Sequence, residues 1–373
     1  MNPLPQTDRT FGLRVLPGAT NLAARISLDF DQKLFRRNYR RPVLVAASLA
    51  SDQADCRRWL AAGAARVFGH DLAARVLNRA AAEAAEPLFL QAVVHGPADT
   101  ARDDLCCGLA DACFDADCAF FDDPAGDRAA AELSVALAVT AVVERSRLMD
   151  LRRADPGDVV LAVAGDRLWP DTFAAARKAL ATFKPGQPLP GLDFAPDQAL
   201  IQPAPLLSVH IQHVLRRYTV KHVVHAMTPI EADGLQPALD RLLGGKFELK
   251  PARTRKCFSP LLELIDECGS MPETADEAHR RGIAFLMVVS QPFAAAVAAR
   301  LRRLGSPAWP LARLGPAARE PSYRPPTSET GLQSRAGGFN NDGRTGQFPA
   351  SASDASEHRG KKRPPPGHSD PAS

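Results

Sequence analysis

Three groups of residues in this chain have the types from which sites are built. Asp122 and Asp123 stand side by side ahead of Pro124 and Ala125. Adjacent carboxylates offer hard oxygen ligands to a cation such as Mg²⁺, and a pair before proline also serves as plain turn residues. Cys106, Cys107, Cys113 and Cys118 form a second group. Zinc sites favour close pairs such as Cys-x-x-Cys. None occurs here, and the spacing is that of an apolar helix entering a buried strand, so these read as buried thiols. His222 and His225 share one apolar run, and they read as strand histidines rather than as catalytic bases.

The elements that would carry these residues follow from periodicity. Arg41 to Ala47 reads as a short buried strand. From Asp55 to Ala85 the spacing is helical, with Leu72, Val76, Leu77 and Ala80 on one face. Pro87 ends that helix, because the residue before proline is pushed out of the helical region, and Leu88 to Val94 reads as a strand. A helix over 103–114 and a strand over 118–121 follow. From Ser134 to Val143 the apolar residues recur at every second position, the signature of one strand face. Asp155-Pro-Gly-Asp158 turns the chain into a strand ending at Val163. Beyond Gly165 helices and strands alternate: a helix over 172–182, a Pro/Gly-rich loop over 184–191, a helix from Pro205 to Tyr218, a strand over 220–227, a helix over 235–243 and a strand over 283–289. Ser290 reads as the cap of a last helix from Pro292 to Leu304, stopped by Gly305.

The chain has 373 residues, long for one core and comfortable for two. At 45% hydrophobic and 24% charged residues it reads as an ordinary soluble globular protein. The net charge of +4 is mild, and a basic stripe with interleaved aromatics is absent, so no nucleic-acid partner is expected. The first residues lack a signal-peptide pattern and no apolar run reaches the ~20 residues of a membrane helix. With seven cysteines in no disulfide pattern, a cytoplasmic protein with reduced thiols is expected. From residue 316 on, Pro, Gly, Ser, Asn and charged residues dominate, which predicts a disordered tail.

Several stretches resemble the aminoimidazole ribonucleotide synthetase (phosphoribosylformylglycinamidine cyclo-ligase) family. Gly69-His-Asp-Leu-Ala-Ala-Arg-Val-Leu-Asn78, continuing through Ala85-Glu-Pro-Leu-Phe89, is similar to that family's Gly-x-Asp-Leu helix start and its Gly-Ala-Glu-Pro-Leu-Phe strand, at the same offsets. Ala141-Val-Val-Glu-Arg-Ser146 and Gly157-Asp-Val-Val160 are similar to its Gly-Val-Val-Glu-Lys-Ser and Gly-Asp-Val-Leu. Order and spacing agree from about Arg41 to Leu314. The resemblance implies an α/β (α+β) fold of two lobes, with a first lobe that closes a β-barrel across a homodimer and a second α/β lobe. The implied layout is an N-terminal arm over 1–40, lobes over 41–165 and 166–315, and a tail over 316–373.

The same resemblance marks where the chemistry departs. The family's Gly-Thr-Asp-Gly-Val-Gly-Thr-Lys is here Ala47-Ser-Leu-Ala-Ser-Asp-Gln-Ala54, with every glycine lost and Asp52 out of register. A phosphate cradle needs backbone amides that approach the ligand closely, and this string does not supply them. Asn78 is kept, but Arg79 replaces the metal-binding aspartate, so a cation ligand has become a cation. The Gly-Gly-Glu-Thr signature is Asp122-Asp-Pro-Ala125. The Gly-Pro-His-Ser-Asn-Gly-Tyr loop is Arg167-Leu-Trp-Pro-Asp-Thr-Phe173, and the Leu-Thr-Gly-Gly-Gly loop is Met227-Thr-Pro-Ile-Glu231.

Asp71, Asn78 and Thr228 are the retained family positions and hence the candidate nucleotide-binding residues, while Asp122 and Asp123 are the candidate metal ligands. The reading that follows is a non-catalytic, cyclo-ligase-like protein of purine biosynthesis, a pseudoenzyme with a scaffold or regulatory role and no cofactor. Two alternatives stand beside it. One is an active cyclo-ligase using Mg-ATP through a rebuilt site with Asp52, Asp71, Asp122 and Asp123. The other is a sensor whose old cleft binds an unknown small molecule.

Overall fold

A computed structural model of the chain describes residues 39–317 except 98, 124–129, 219, 254–256 and 270, with the backbone alone of 13–15, 26–28, 122, 123 and 317. Nearly all of the expected arm and tail therefore lie outside the described residues. Within the rest, β1 (Leu13–Val15) pairs antiparallel with β2 (Ile26–Leu28).

The first main sheet joins β3 (Pro42–Ala50), β4 (Glu86–His95), β5 (Ala119–Asp123) and β6 (Ser134–Glu144) in the order β3-β6-β4-β5. Three helices, α1 (Gln53–Ala61), α2 (Ala65–Ala81) and α3 (Thr100–Asp115), intervene in sequence. Only β4 and β5 pair in parallel, because α3 carries the chain back across the sheet. In β6 the period of two is realised: Val135, Leu137, Val139, Ala141 and Val143 are buried in the same core as Leu72, Val76, Leu77 and Ala80 of α2.

The strand at 42–50 is not buried as expected. It lies at the sheet edge with alternate residues exposed, Leu44 by 66%. A short apolar run carries no signal that separates an edge strand from a central one.

Helices α2 and α3 meet through a reciprocal pair of glycines. A Cβ at Gly69 would lie 2.1 Å from the Leu105 carbonyl oxygen, and one at Gly108 would lie 1.8 Å from that of Arg66. Hydrogen is the only side chain that fits at either position.

The second sheet runs β8-β10-β7-β11-β9, antiparallel throughout. Its elements in chain order are β7 (Val159–Ala164), α4 (Pro170–Leu180), α5 (Pro196–Ala199), α6 (Ser208–Arg217), β8 (Val224–Pro229), α7 (Leu235–Leu243), β9 (Phe247–Pro251), α8 (Pro260–Glu267), α9 (Glu277–Arg281), β10 (Ile283–Val289), α10 (Ala294–Arg303) and β11 (Ala308–Ala317). β7 belongs to this sheet although it precedes residue 166. Both faces are covered. Leu161, Val163, Phe285 and Met287 face the core shared with α6 and α10, while Val160, Ala162, Leu286 and Val288 pack against α7. Burial on both faces is why these strands read as continuous apolar runs.

Four boundaries differ from expectation, each for a physical reason. The helix after Pro205 starts at Ser208, because the Pro205 carbonyl accepts from Asn78 Nδ2 and the Leu207 amide donates to Asn78 Oδ1, each at 2.8 Å. The strand expected from Val220 starts at Val224, and Val220 is 90% exposed. Ser290 makes no side-chain cap; a 3₁₀ turn over Gln291–Phe293 leads into α10, and Asp158 Oδ1 accepts from the Gln291 amide at 3.2 Å. The 86–95 strand contains Pro87, and the helix before it stops at Ala81. The elements α8 and β9 were not anticipated, although Ser259-Pro260 is an N-terminal signal: the Ser259 side chain accepts from Leu262 N.

Candidate functional site

Asp71, Arg75, Asn78 and Arg79 recur at helical spacing, so α2 presents them along one stripe. That stripe faces three segments: the chain after β7, the connector over 204–207, and the chain after β8. A cleft of about 430 Å³ lies here, lined among others by Arg75, Asn78, Arg167, Trp169, Glu231 and His279.

An alternating chain of charges crosses this region. Arg58 donates to Asp55 at 2.7 Å. Asp55 accepts from Arg167 at 2.6 Å, and Arg167 Nε donates to Asp71 at 2.8 Å. Asp71 lies 3.8 Å from Arg75, which donates to Glu231 at 3.3 Å. Glu231 also accepts from Arg79 Nε at 2.7 Å, and Arg79 donates to the Ser48 carbonyl of β3.

Asp71 and Arg167 are buried, as is Asp55. Burial drives the Asp71 carboxyl upward, yet Arg167, Arg75 and the Ala204 amide hold it below its ordinary value. Burial likewise opposes the Arg167 charge, and Asp71 with Asp55 raises its pKa regardless. For Arg58 burial wins, and its pKa falls.

Trp169 forms the hydrophobic side of the chain. The guanidiniums of Arg167 and Arg75 lie 4.1 and 5.4 Å from its ring centroid, and His279 stacks on it at 4.7 Å. His279 Nδ1 bonds Asp171 at 2.8 Å, and Nε2 bonds the Glu231 carbonyl at 2.9 Å. Partial burial pushes the Asp171 carboxyl upward, but His279 and the Asp276 amide bring it below its usual value.

The residues expected from the sequence are thus placed as follows. Asp71 is the middle carboxylate of the chain of charges, and its Oδ1 also accepts from Ala204 N at 2.8 Å. Asn78 ties α2 to the connector through both ends of its amide. Thr228 is buried in β8, its hydroxyl 3.4 Å from the Pro229 carbonyl. Asp52 caps α1, accepting from the amides of Ala54 and Asp55 at 2.9 and 3.0 Å. Asp122 and Asp123 end β5 beside Ala92 and Val93, and their side chains lie outside the described residues.

His225 is buried between Asp158 (3.0 Å) and the His222 carbonyl (2.8 Å), whereas His222 precedes the strand. Cys106, Cys113 and Cys118 are buried and Cys107 is half-buried. Among the described residues no group of three or more His, Cys, Asp or Glu could hold a metal ion, and no helix is long and apolar enough to cross a membrane.

The stretch Ala47–Ala54 is the end of β3 and the start of α1. Ala50 stays in register with Ala136. The Ser51 amide donates to the Val135 carbonyl at 2.8 Å, those of Ala54 and Asp55 go to Asp52, and that of Cys56 goes to the Asp52 carbonyl at 2.9 Å.

Reasoning from the sequence missed Asp55, Arg75, Trp169 and His279, and it noted Arg167 and Glu231 only as departures. One local signal existed: Asp71 and Arg75 are four apart on a helix, a spacing that favours ion pairs.

This two-sheet α/β architecture is that of thiamine-monophosphate kinases. The structure superposes on the enzyme from Stenotrophomonas maltophilia K279a with a TM-score of 0.59, covering 83% of this chain and 91% of that one at 14% identity. It matches the one from Aquifex aeolicus with a TM-score of 0.51 over 74% and 85% at 14% identity. Those likenesses show the fold. No protein-family profile matches the chain.

Sequence similarity points to one group within this fold. The chain is 29% identical over 325 residues to the phosphoribosylformylglycinamidine cyclo-ligase of Anaeromyxobacter sp. (strain Fw109-5), covering 83% of this chain and 90% of that protein. It is 28% identical to that of Parasynechococcus marenigrum, over 65% of this chain and 73% of the relative. The resemblance read from the sequence is borne out: the chain is similar to the phosphoribosylformylglycinamidine cyclo-ligases at 28–29% identity.

Proposed function

We propose that this protein is a non-catalytic relative of the cyclo-ligases that keeps their scaffold for a binding or regulatory role in purine biosynthesis in the cytoplasm. One observation carries the reading. In the stretch that matches the family's glycine-rich signature the amides of Ser51 and Ala54 are already bonded within the protein, as are those of Asp55 and Cys56 just after it. A phosphate cradle works by turning free amides toward the anion.

The ion-pair chain supports the same reading. Arg79 stands where the family has a metal-binding aspartate, and Glu231 stands in the matching glycine-rich loop. Separately each substitution opposes Mg²⁺ or phosphate. Together they form a 2.7 Å ion pair, so the two losses complement one another. The residues present do not fit Mg-ATP. The alternative metal set fits no better, since Asp52 is a helix cap and Asp71 is committed to two arginines.

Millimolar Mg-ATP is expected to leave the melting temperature of the purified protein unchanged, and the gene is not expected to rescue a purine auxotroph lacking the cyclo-ligase. A ligand at one hundred times its Kd stabilises by about 2.7 kcal/mol, which raises the melting point of a chain this size by roughly 3–5 °C. A rise of that order, or turnover of formylglycinamidine ribonucleotide, overturns the proposal.

The dimer belongs to the same proposal. Among the described residues β3 is an edge strand with one ladder partner and an exposed Leu44, and an apolar edge of this kind is a template for a second strand. Pairing of β3 with a second copy would extend the four-stranded sheet toward a shared barrel. Leu44→Lys is expected to convert a dimer to a monomer in sedimentation; a monomeric wild-type protein at micromolar concentration rules the dimer out.

A further inference from the structure

Beside the charge-filled cleft is an open crevice of about 1070 Å³, bounded by the end of β7, the connector over 202–206, the start of α8 and the turn between α10 and β11. It shares Gly165, Ala204 and Pro205 with the cleft but not the ion pairs. We propose that this crevice binds a planar nitrogen heterocycle that presents two adjacent N–H donors and carries an anionic tail.

The donor requirement comes from Asp166. Among the described residues its one partner is Ser259, whose hydroxyl donates to Asp166 Oδ1. Ser259 is buried and has a single hydrogen to give, since its oxygen already accepts from Leu262 N at 3.1 Å. Asp166 is only partly buried and lines the crevice, so its second carboxylate oxygen and the remaining lone pair of Oδ1 are open to two donors from a ligand. Burial pushes the Asp166 carboxyl above its ordinary value and the Ser259 bond only partly offsets this. Every cation of the neighbouring charge chain is spent on Asp55, Asp71 or Glu231. An acceptor held this way is best satisfied by ligand N–H groups.

The planar requirement comes from the wall. Phe258 and Trp309 line the crevice together, their centroids 5.4 Å apart and their planes at 53°. Arg281 lies 4.9 Å from the centroid of Phe258, which holds that ring in place. A flat ring against such a wall gains aromatic contact while its edge meets the carboxylate.

The anionic tail follows from Arg302, an exposed residue in the last turn of α10 that also lines the crevice. His70 is there too, and its Nδ1 is buried without a hydrogen-bond partner among the described residues. Guanidinium and imidazole together suit a phosphate or carboxylate group.

The probes are guanosine and adenosine 5′-monophosphates, with calorimetry and tryptophan fluorescence as readouts on the full chain. Guanine offers N1–H and N2–H side by side, whereas adenine sets its amino group beside an acceptor nitrogen that faces the carboxylate. The guanine nucleotide is expected to bind at least tenfold more tightly, since adenine sets an acceptor against the carboxylate where guanine offers a second donor. Asp166→Asn is expected to abolish that preference, and Arg302→Ala to weaken the nucleotide tenfold while leaving guanosine unchanged. Equal affinity for the two nucleotides, no saturable binding at millimolar concentration, or a preference that survives Asp166→Asn overturns the proposal. If Asp166→Asn does not fold, the two nucleotides on the wild-type protein still decide. A Mg-ATP stabilisation that Arg302→Ala removes belongs to this crevice and one that survives it does not, so the two tests stay distinguishable.

Discussion

Replacing Arg167 with leucine lowers the unfolding free energy by about 3–5 kcal/mol, the usual cost of removing one member of a buried ion pair. Arg167 is buried and bonded to Asp55 at 2.6 Å and Asp71 at 2.8 Å. Its removal leaves two carboxylates in a low-dielectric region with only Arg58 and Arg75 beside them. The urea midpoint at neutral pH measures the loss. A double-mutant cycle separates the pair from the packing: Arg167→Leu combined with Asp71→Leu costs less than the sum of the singles, because the orphaned charge is gone. A change below about 1 kcal/mol for Arg167→Leu would show that water reaches the site and screens it.

The same network fixes the direction of acid sensitivity. The folded Asp71 carboxyl sits below its ordinary value of 3.8. A depressed carboxyl contributes stability above its unfolded pKa and loses it as pH falls through the folded value. Arginine does not titrate in this range. The stability difference between wild type and Asp71→Asn is therefore constant from pH 7 to about pH 5 and shrinks below about pH 4. A difference that vanishes nearer pH 6 contradicts this arrangement.

Gly108→Ala is the second large effect, at roughly 3 kcal/mol or more, the upper range for forcing atoms into a packed interior. The new Cβ would lie 1.8 Å from the Arg66 carbonyl oxygen and 2.7 Å from its carbon. Backbone cannot rotate away as a side chain can, so α2 and α3 must separate and the core beneath them must open. Gly69→Ala tests the reciprocal contact, at 2.1 Å from the Leu105 carbonyl oxygen. Chemical denaturation with far-UV circular dichroism reads both. A midpoint equal to wild type would mean the helices have slack at this crossing.

Much of the fold was legible because it rests on local period. The alternation over 134–143 and the helical faces of 72–80 and 235–243 reappear in β6, α2 and α7, since burial of one face is what selects those residues. The errors fell where a distant side chain intervened. Asn78 holds the chain at Pro205 and Leu207 and delays a helix by a turn. Asp158 holds the Gln291 amide, and the Phe293 amide goes to the Ser290 carbonyl rather than to its side chain as a cap would take it.

The site divides along the same line. The absence of glycines over 47–54 and the presence of Arg79 after Asn78 were visible in the sequence, because residue type is read there directly. The replacement was not. Arg79 and Glu231 are 152 residues apart, Arg167 and Asp71 are 96 apart, and Arg167 and Asp55 are 112 apart. No spacing rule links positions that far apart; only the packing of the second sheet's loops against α2 brings them within hydrogen-bond distance. The sequence by itself determined most of the elements and which residue types stand at the positions of the family signatures. Tertiary structure decided what fills their place, because charge pairing over long separations is set by how faces dock and not by the order of residues along the chain.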